Sequence, residues 1–534
     1  MRIEPRSLGA AGSPGGDFAV GTERALHLFP PEALAVGVSH PERRPRPARL
    51  RAEIFGCSSP AARTRLGEIL GGRGRLVTTG QQPGLFLGPL YVLYKSLTAI
   101  ELARRLEAAS GAPALACFWI ASDDHDWQEI AVSRLLDREG SRVEIRLTPP
   151  PGDERRAVGP APLPPDVVGA LERLREVLPA SEFVEDYLEL LRRAYQPGRP
   201  FADAFAEVLP RVVGKQDFCW LDAATPGVKQ ASTPLFEQAL GEHARFEEAV
   251  AVGTEAVQGA GYAPQLKHVP GATLLFMDLG AGRERLYVRN GIVSGREGTE
   301  MRLDEARARL HAKPDAVSPS AALRPVLESW LLPVGATVLG PGEIAYWAQL
   351  PQVFAAAGVP MPAIEPRFAW MALEARVARL LDELGVGPED LRDGGGALAR
   401  SVVERQRPEA LRGALTELRQ ALGSGLDRVE DVVGRELPGI RSAAGKARKA
   451  AFDAVRGLEH TIDHRIRERQ ESRLEQIARA AAQLFPGGKP QERVLSPFYF
   501  LARYGAGFTS AVAEAGGSQL LRTLVGVAGV DERE

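Results

Sequence analysis

Arg75-Leu-Val-Thr-Thr-Gly-Gln-Gln-Pro-Gly-Leu-Phe-Leu-Gly-Pro89 and, further on, Phe118-Trp-Ile-Ala-Ser-Asp-Asp-His-Asp-Trp-Gln-Glu-Ile130 decide the fold. Residues 76–79 are apolar and β-branched, the pattern of a short buried strand. Gly80, Gly84 and Gly88 follow, so backbone can approach a ligand closely there. Pro89 suits the first turn of a helix. Leu90, Leu93, Leu97 and Ile100 then recur at helical spacing, and Gly111 with Pro113 stops the run. Residues 114–120 predict a second buried strand, which ends in Asp123-Asp124-His125-Asp126. The unit is βαβ, so the fold class is α/β with a parallel sheet. Ligands of such sheets sit at the carboxyl ends of the strands.

Working outward, further strands are expected at residues 218–222, 273–277, 285–288 and 334–339, with helices between them. Residues 1–74, Pro-rich near His40, read as an irregular approach to the first strand. The parallel-sheet core spans 1–370, with insertions near 150–215 and 250–330. From 371 the texture changes to heptad-like apolar spacing, as at Leu411, Leu415, Leu418 and Leu422, then Val455, Leu458, Ile462 and Ile466. Residues 371–485 therefore predict an antiparallel coiled-coil arm folded back at Pro438. Its second helix would run about 45 residues, roughly 65–70 Å at 1.5 Å per residue. The tail, 486–534, carries aromatic residues and is expected to pack back on the core.

Composition narrows the function classes. The chain has 534 residues, with 66 basic and 68 acidic side chains and a net charge of −2. That balance lacks the basic excess of a nucleic-acid binder. Cys57, Cys117 and Cys219 are odd in number and far apart, which suggests neither a disulfide framework nor a zinc knuckle. No apolar run is long enough to span a membrane, and no signal peptide opens the chain, so the expected location is the cytoplasm.

Three motifs carry chemistry. Gly80-Gln81-Gln82-Pro83-Gly84 matches neither the dinucleotide fingerprint nor a P-loop. A tight turn accounts for its glycines, but two adjacent carboxamides point to a loop that grips a polar ligand through amides and side chains. Asp123-Asp124-His125-Asp126 sets three carboxylates beside one imidazole, which raises the imidazole pKa above ~6.5. One acid would suffice to cap a helix. Such a cluster repels a bare polyphosphate and faces an amine, a polyol or a magnesium ion. Gly340-Pro341-Gly342-Glu343, with Tyr346 on the helix behind it, forms another strand-end loop, and it also reads as a simple Pro-Gly turn. Arg324 ahead of it is a candidate clamp for carboxylate or phosphate. Lys95-Ser96 reads as a helix face without catalytic meaning. His460 and His464, one helical turn apart in a charged arm, read as solvated.

These residues also carry a resemblance. Thr79-Gly-Gln-Gln-Pro-Gly-Leu-Phe-Leu-Gly-Pro-Leu-Tyr91 with Lys95, and Trp119-Ile-Ala-Ser-Asp-Asp-His-Asp126 with Glu129-Ile130, resemble the family of bacillithiol-biosynthesis cysteine-adding enzymes, the cysteine ligases. Leu221-Asp-Ala-Ala-Thr-Pro-Gly-Val-Lys-Gln230, Arg324-Pro325, Gly340-Pro-Gly-Glu-Ile-Ala-Tyr-Trp-Ala-Gln-Leu350 and Leu484-Phe-Pro-Gly-Gly-Lys-Pro-Gln-Glu-Arg-Val494 extend it over nearly the whole chain. Asp123 stands where the family pattern has Glu.

The resemblance implies a Rossmann-like core with connecting-peptide insertions and a coiled coil that forms a homodimer. It implies amide formation between cysteine and glucosaminyl-malate, the last step of bacillithiol synthesis. Activation of the cysteine carboxyl implies ATP or another activating nucleotide, with magnesium, although no motif marks a nucleotide site. On this reading His125 is the general base, and Asp124 or Asp126 orients its ring. Gly80, Gln81, Gln82, Asp123, Arg324, Gly340, Gly342, Glu343 and Tyr346 bind substrate. Two rival readings are a metal-dependent hydrolase of an N-acyl amino-sugar and a coiled-coil scaffold with a vestigial binding core. The metal ligands of the first rival are unknown from sequence.

Overall fold

A computed structural model describes residues 1–34, 48–124, 126–137, 140–149, 157–280 and 282–528. The chain divides into two compact units. One consists chiefly of Ala372–Gln491, and the other of Ile3–Arg138, Arg142–Met371 and Glu492–Glu534.

The larger unit is built on six strands: β1 (Gly56–Cys57), β2 (Arg75–Gln81), β3 (Ala114–Ile120), β4 (Phe218–Asp222), β5 (Val334–Leu339) and β6 (Ala363–Pro366). Their spatial order is β6-β5-β2-β3-β4-β1. Strands β2 to β6 are parallel, and β1 closes one edge antiparallel to β4. Every residue of β3 is buried, which fits a continuous apolar run covered on both faces. Helix α1 (Tyr91–Ser110) crosses from β2 to β3 and buries Leu93, Leu97 and Leu102. Each leucine contributes about 1.5–3 kcal/mol on leaving water.

A second, antiparallel sheet lies within residues 250–330. Its strands are ordered Glu300–Arg302, Ile292–Ser294, Arg283–Arg289, Ala272–Asp278 and Val317–Pro319. Helices Val167–Val177, Val184–Ala194 and Phe201–Val213 fill the 150–215 region.

Residues 1–74 differ from expectation. Short helices Pro14–Ala19 and Pro60–Glu68 and the edge strand β1 form there. Ser13 and Ser59 cap those helices, accepting from Gly16 N at 3.2 Å and Ala62 N at 2.9 Å. A proline follows each serine at the first helical position, where its missing N–H costs nothing. The Pro-rich stretch near His40 lies outside the described residues.

The C-terminal segment returns to the larger unit. Leu90 N donates to Leu495 O at 2.8 Å, and Ser496 N donates to Arg134 O at 2.8 Å. Glu492, fully buried, takes Arg6 Nη1 at 2.9 Å and Arg367 Nη2 at 3.0 Å on one carboxylate oxygen.

The smaller unit holds α3 (Glu409–Glu436), α4 (Arg441–Arg469) and α5 (Glu471–Leu484), while α2 (Pro341–Trp347) belongs to the larger unit. The pairs Arg419–Glu459 and Arg448–Glu430 fix an antiparallel register between the two arms of the hairpin. A single second helix of about 45 residues is not what forms. It breaks at Gln470, whose φ of −104° and ψ of 9° leave the helical region, and α5 starts there. No helix of the described residues is long and apolar enough to cross a membrane.

Candidate active site

Strands β2 and β5 lie side by side, yet the chain leaves β2 toward β3 and β5 toward β6, in opposite directions along the sheet. That reversal opens a crevice at the strand ends. A cavity of about 520 Å³ occupies it, lined by Gly80, Gln81 and Gln82 after β2 and by Gly340, Pro341, Gly342 and Glu343 after β5. Asp123, Asp124, Arg324 and Tyr346 line it too.

The loop after β2 closes on itself through strained backbone. Phe86 and Leu87 hold φ of 51° and 66°, a region unfavourable for side chains with a Cβ, at about 1–3 kcal/mol each. Tyr195 holds them there: its hydroxyl donates to Gly84 O at 3.3 Å and accepts from Leu87 N at 3.4 Å. Its ring stands edge-on to Phe86 at 5.1 Å. A Cβ on Gly84 would come within 2.7 Å of Gly88 Cα, so only glycine allows this closure. The amides of Leu87, Gly88 and Leu90 all bond inside the protein. Those three amides are therefore spent within the protein. Gln81 and Gln82 remain at the crevice by their side chains.

Those carboxamides join the charged groups. Gln82 Nε2 donates to Asp124 Oδ2 at 2.6 Å, while its buried Oε1 has no hydrogen-bond partner among the described residues. Arg283 Nη1 meets Asp124 Oδ1 at 3.3 Å. Asp123 takes Lys229 Nζ at 3.2 Å. Asp126 does not line the cavity; its Oδ1 accepts from Glu129 N at 3.0 Å and caps the short helix Trp127–Ile130. Glu129 does line it. Burial, with the charges of Asp126 and Asp124, pushes its carboxyl above the usual carboxylate range. His125 lies outside the described residues.

Lys95 overturns its reading as an inert helix face. It is 2% exposed, and its Nζ donates to Gly80 O at 2.7 Å and Gln81 Oε1 at 3.2 Å. The same nitrogen lies 2.5 Å from Glu343 Oε2. Burial lowers the Lys95 pKa, and the Glu343 carboxylate opposes that shift. Glu343 Oε2 also accepts from Gly340 N at 2.8 Å, closing the first turn of α2. Arg324 is held by Glu328 at 3.1 Å and by the Tyr346 hydroxyl at 3.0 Å.

Further cations complete the crevice: Arg283, Arg285, Arg367 and Arg493. Arg283 stacks on Phe276 at 3.9 Å and bonds Ser318 Oγ at 2.7 Å. Among the described residues no carboxylate lies within ion-pair distance of Arg285 or Arg493. The crevice is thus of mixed charge and not the anion-repelling cluster that Asp123 to Asp126 alone suggest. No group of three or more His, Cys, Asp or Glu side chains suited to a metal ion comes together among the described residues. In the arm, His464 is exposed and sits 3.4 Å from Glu468.

Residues 51–368 match the family model described as the N-terminal Rossmann-like domain of bacillithiol biosynthesis BshC, and residues 370–516 match its C-terminal coiled-coil domain. The chain belongs to the BshC family. A BshC relative from Salinibacter ruber is 30% identical over 525 residues, 90% of this chain and 95% of its own. One from Heliobacterium modesticaldum is 32% identical over 443 residues, 82% of this chain and 80% of its own. One from Geobacillus thermodenitrificans is 28% identical over 459 residues, 83% and 82%. Each is named "Putative cysteine ligase BshC". The Rossmann-like core and coiled coil expected from sequence are those of BshC proteins.

Proposed function

We propose that this chain is a carbon–nitrogen ligase that adds cysteine to glucosaminyl-malate in the last step of bacillithiol synthesis. The observation that carries the reading is the mixed charge of the crevice: Asp124 and Glu129 beside Arg285 and Arg493, the latter two without carboxylate partners among the described residues. The sugar conjugate has an amine for the acids and malyl carboxylates for the guanidiniums. Arginine suits carboxylates because its fork of donors matches their two oxygens. Gln82 Oε1, a buried acceptor without a partner among the described residues, suits a sugar hydroxyl or the amine.

His125, beside Asp124 in the chain, takes the proton as the amine nitrogen bonds to the cysteine carbonyl carbon and the activating group departs. Asp124 or Asp126 orients its ring. ATP or another nucleotide, with magnesium, is the proposed source of activation. We assign the protein to the cytoplasm, with cysteine and glucosaminyl-malate as its small-molecule partners. Two copies join through the coiled coil, whose Val429, Val432 and Ile440 are 52%, 44% and 51% exposed.

The test is direct. Purified protein is given glucosaminyl-malate, cysteine and ATP, and low-molecular-weight thiols are read by mass spectrometry. Bacillithiol that forms only with the protein present supports the reading. Its absence, together with an unchanged thiol pool in cells lacking the protein, overturns it.

A further inference from the structure

The three cysteines, far apart in the chain, meet across three neighbouring strands. In the sheet Cys57 on β1 is paired with Cys219 on β4, and Cys219 is paired with Cys117 on β3. Residues opposite one another across a strand pair point to the same face. All three thiols therefore share one face of the sheet. Cys117 and Cys219 are buried in the core there, and Cys57, half-buried, packs against them.

The pairing of β1 with β4 is of a particular kind. Ser58 N donates to Phe218 O at 3.0 Å, and Phe218 N returns to the Ser58 hydroxyl at 3.0 Å. Ser58 and Phe218 thus occupy a hydrogen-bonded position of the antiparallel ladder. Such positions alternate with non-hydrogen-bonded ones, so Cys57 and Cys219, one step along, form the second type. There the Cα atoms stand about 4.5 Å apart and the side chains are closest. Disulfides span Cα separations of about 4.4–6.8 Å, so this pair can be bridged with the backbone in place. Gly56 keeps β1 tight against β4: a Cβ there would strike the Trp220 ring, which lies on the other face.

We propose that Cys57 and Cys219 form a thiol–disulfide modification site that takes a small organic disulfide as oxidant. Cys57 stands on the edge strand and is the thiol solvent can reach. As thiolate it attacks one sulfur of the small disulfide; that S–S bond breaks, one small thiol leaves, and a mixed disulfide remains on Cys57. Cys219 then attacks the Cys57 sulfur and releases the second small thiol. Two protein thiols are oxidised, one small disulfide is reduced to two thiols, and the two protons end on those thiols. Burial and the neighbouring Cys117 thiol hold Cys219 protonated in the resting fold. The second step therefore follows fraying of β1, a strand of two residues. Cys117, sealed beneath and on a parallel neighbour, stays reduced. The product ties β1 covalently to β4, three residues ahead of Asp222 at the strand end.

The experiment equilibrates the full-length protein with mixtures of oxidised and reduced glutathione, quenches in acid, alkylates and digests with trypsin. The linked pair of peptides 52–63 and 216–229 is the expected product, with free thiols in denaturant falling from three to one. Cys57→Ser abolishes the link and leaves Cys219 alkylated; Cys117→Ser keeps it. Three free thiols at every ratio overturn the proposal. So does glutathione retained on Cys57 with Cys219 free, or a link that includes the Cys117 peptide.

Discussion

Lys95 Nζ and Glu343 Oε2 lie 2.5 Å apart, one on the helix that follows β2 and the other on the helix that follows β5. This ion pair spans the place where the sheet's connections reverse, and it sets the two glycine loops against each other. Lys95→Met leaves the Glu343 carboxylate without its cation. Removing one member of a buried pair costs about 3–5 kcal/mol. Glu343 is 22% exposed, so the lower end applies. Thermal unfolding should show the loss, and the double variant Lys95→Met with Glu343→Gln should recover part of it. Additive losses from the two changes would show that the pair does not act as a unit.

Arg285→Ala and Arg493→Ala should each raise KM for the sugar conjugate about tenfold while kcat changes little. A hydrogen bond to a charged group is worth about 1.5–3 kcal/mol, and about 1.4 kcal/mol is a factor of ten. Steady-state kinetics at varied glucosaminyl-malate decides it. If KM stays put in both variants, the malyl carboxylates bind elsewhere.

His125→Asn keeps size and hydrogen bonding but removes the base. Bacillithiol formation should fall by about 10²–10⁴, read as kcat on folded protein. Asp126→Asn should lose less, since it perturbs only orientation. Activity of His125→Asn within a few-fold of the parent would end the general-base assignment.

Glu365, at the end of β6, has its pKa pushed up to about 8 by burial, with the Arg105 charge pulling the other way. Its ordinary value is about 4.3. Between those values the folded state holds a proton that the unfolded state has lost. Stability from this group is therefore full at acid pH and declines as pH rises toward 8. Glu365→Gln, neutral throughout, should flatten that decline in denaturant melts run from pH 5 to pH 8. An unchanged slope would mean that Glu365 is ionised in the fold.

Val429→Asp with Val432→Asp puts charge on the exposed apolar stripe of α3. Light scattering should then report a monomer for the variant and a dimer for the parent. A dimer that persists would place the subunit contact outside this hairpin.

The strand–loop–helix skeleton was legible because periodicity is local: residues 76–79, 90–100 and 114–120 carry their own signal. The loops after β2 and β5 were legible because glycine and proline punctuate them. Arg283 and Arg285 were not. They alternate with buried Glu284 and Leu286 along a strand of the second sheet, a pattern that reads as a solvated face. Lys95 looked inert because nothing nearby in sequence reveals Glu343 as its partner. Cys57, Cys117 and Cys219 looked unrelated because strand neighbours are set by topology and not by spacing. The break at Gln470 has no glycine or proline to announce it.

Arg493 lines the crevice, and Glu492 beside it binds Arg6 and Arg367, yet both residues follow the coiled coil in the chain. A ribosome makes every other wall of the crevice first and then the whole coiled coil, and only afterwards Glu492 and Arg493. A nascent chain thus carries an open, unfinished site with Arg6 and Arg367 still waiting for their shared carboxylate. Substrate recognition is postponed until the helical unit has been synthesised, so an interrupted translation product that lacks the coiled coil also lacks a complete crevice.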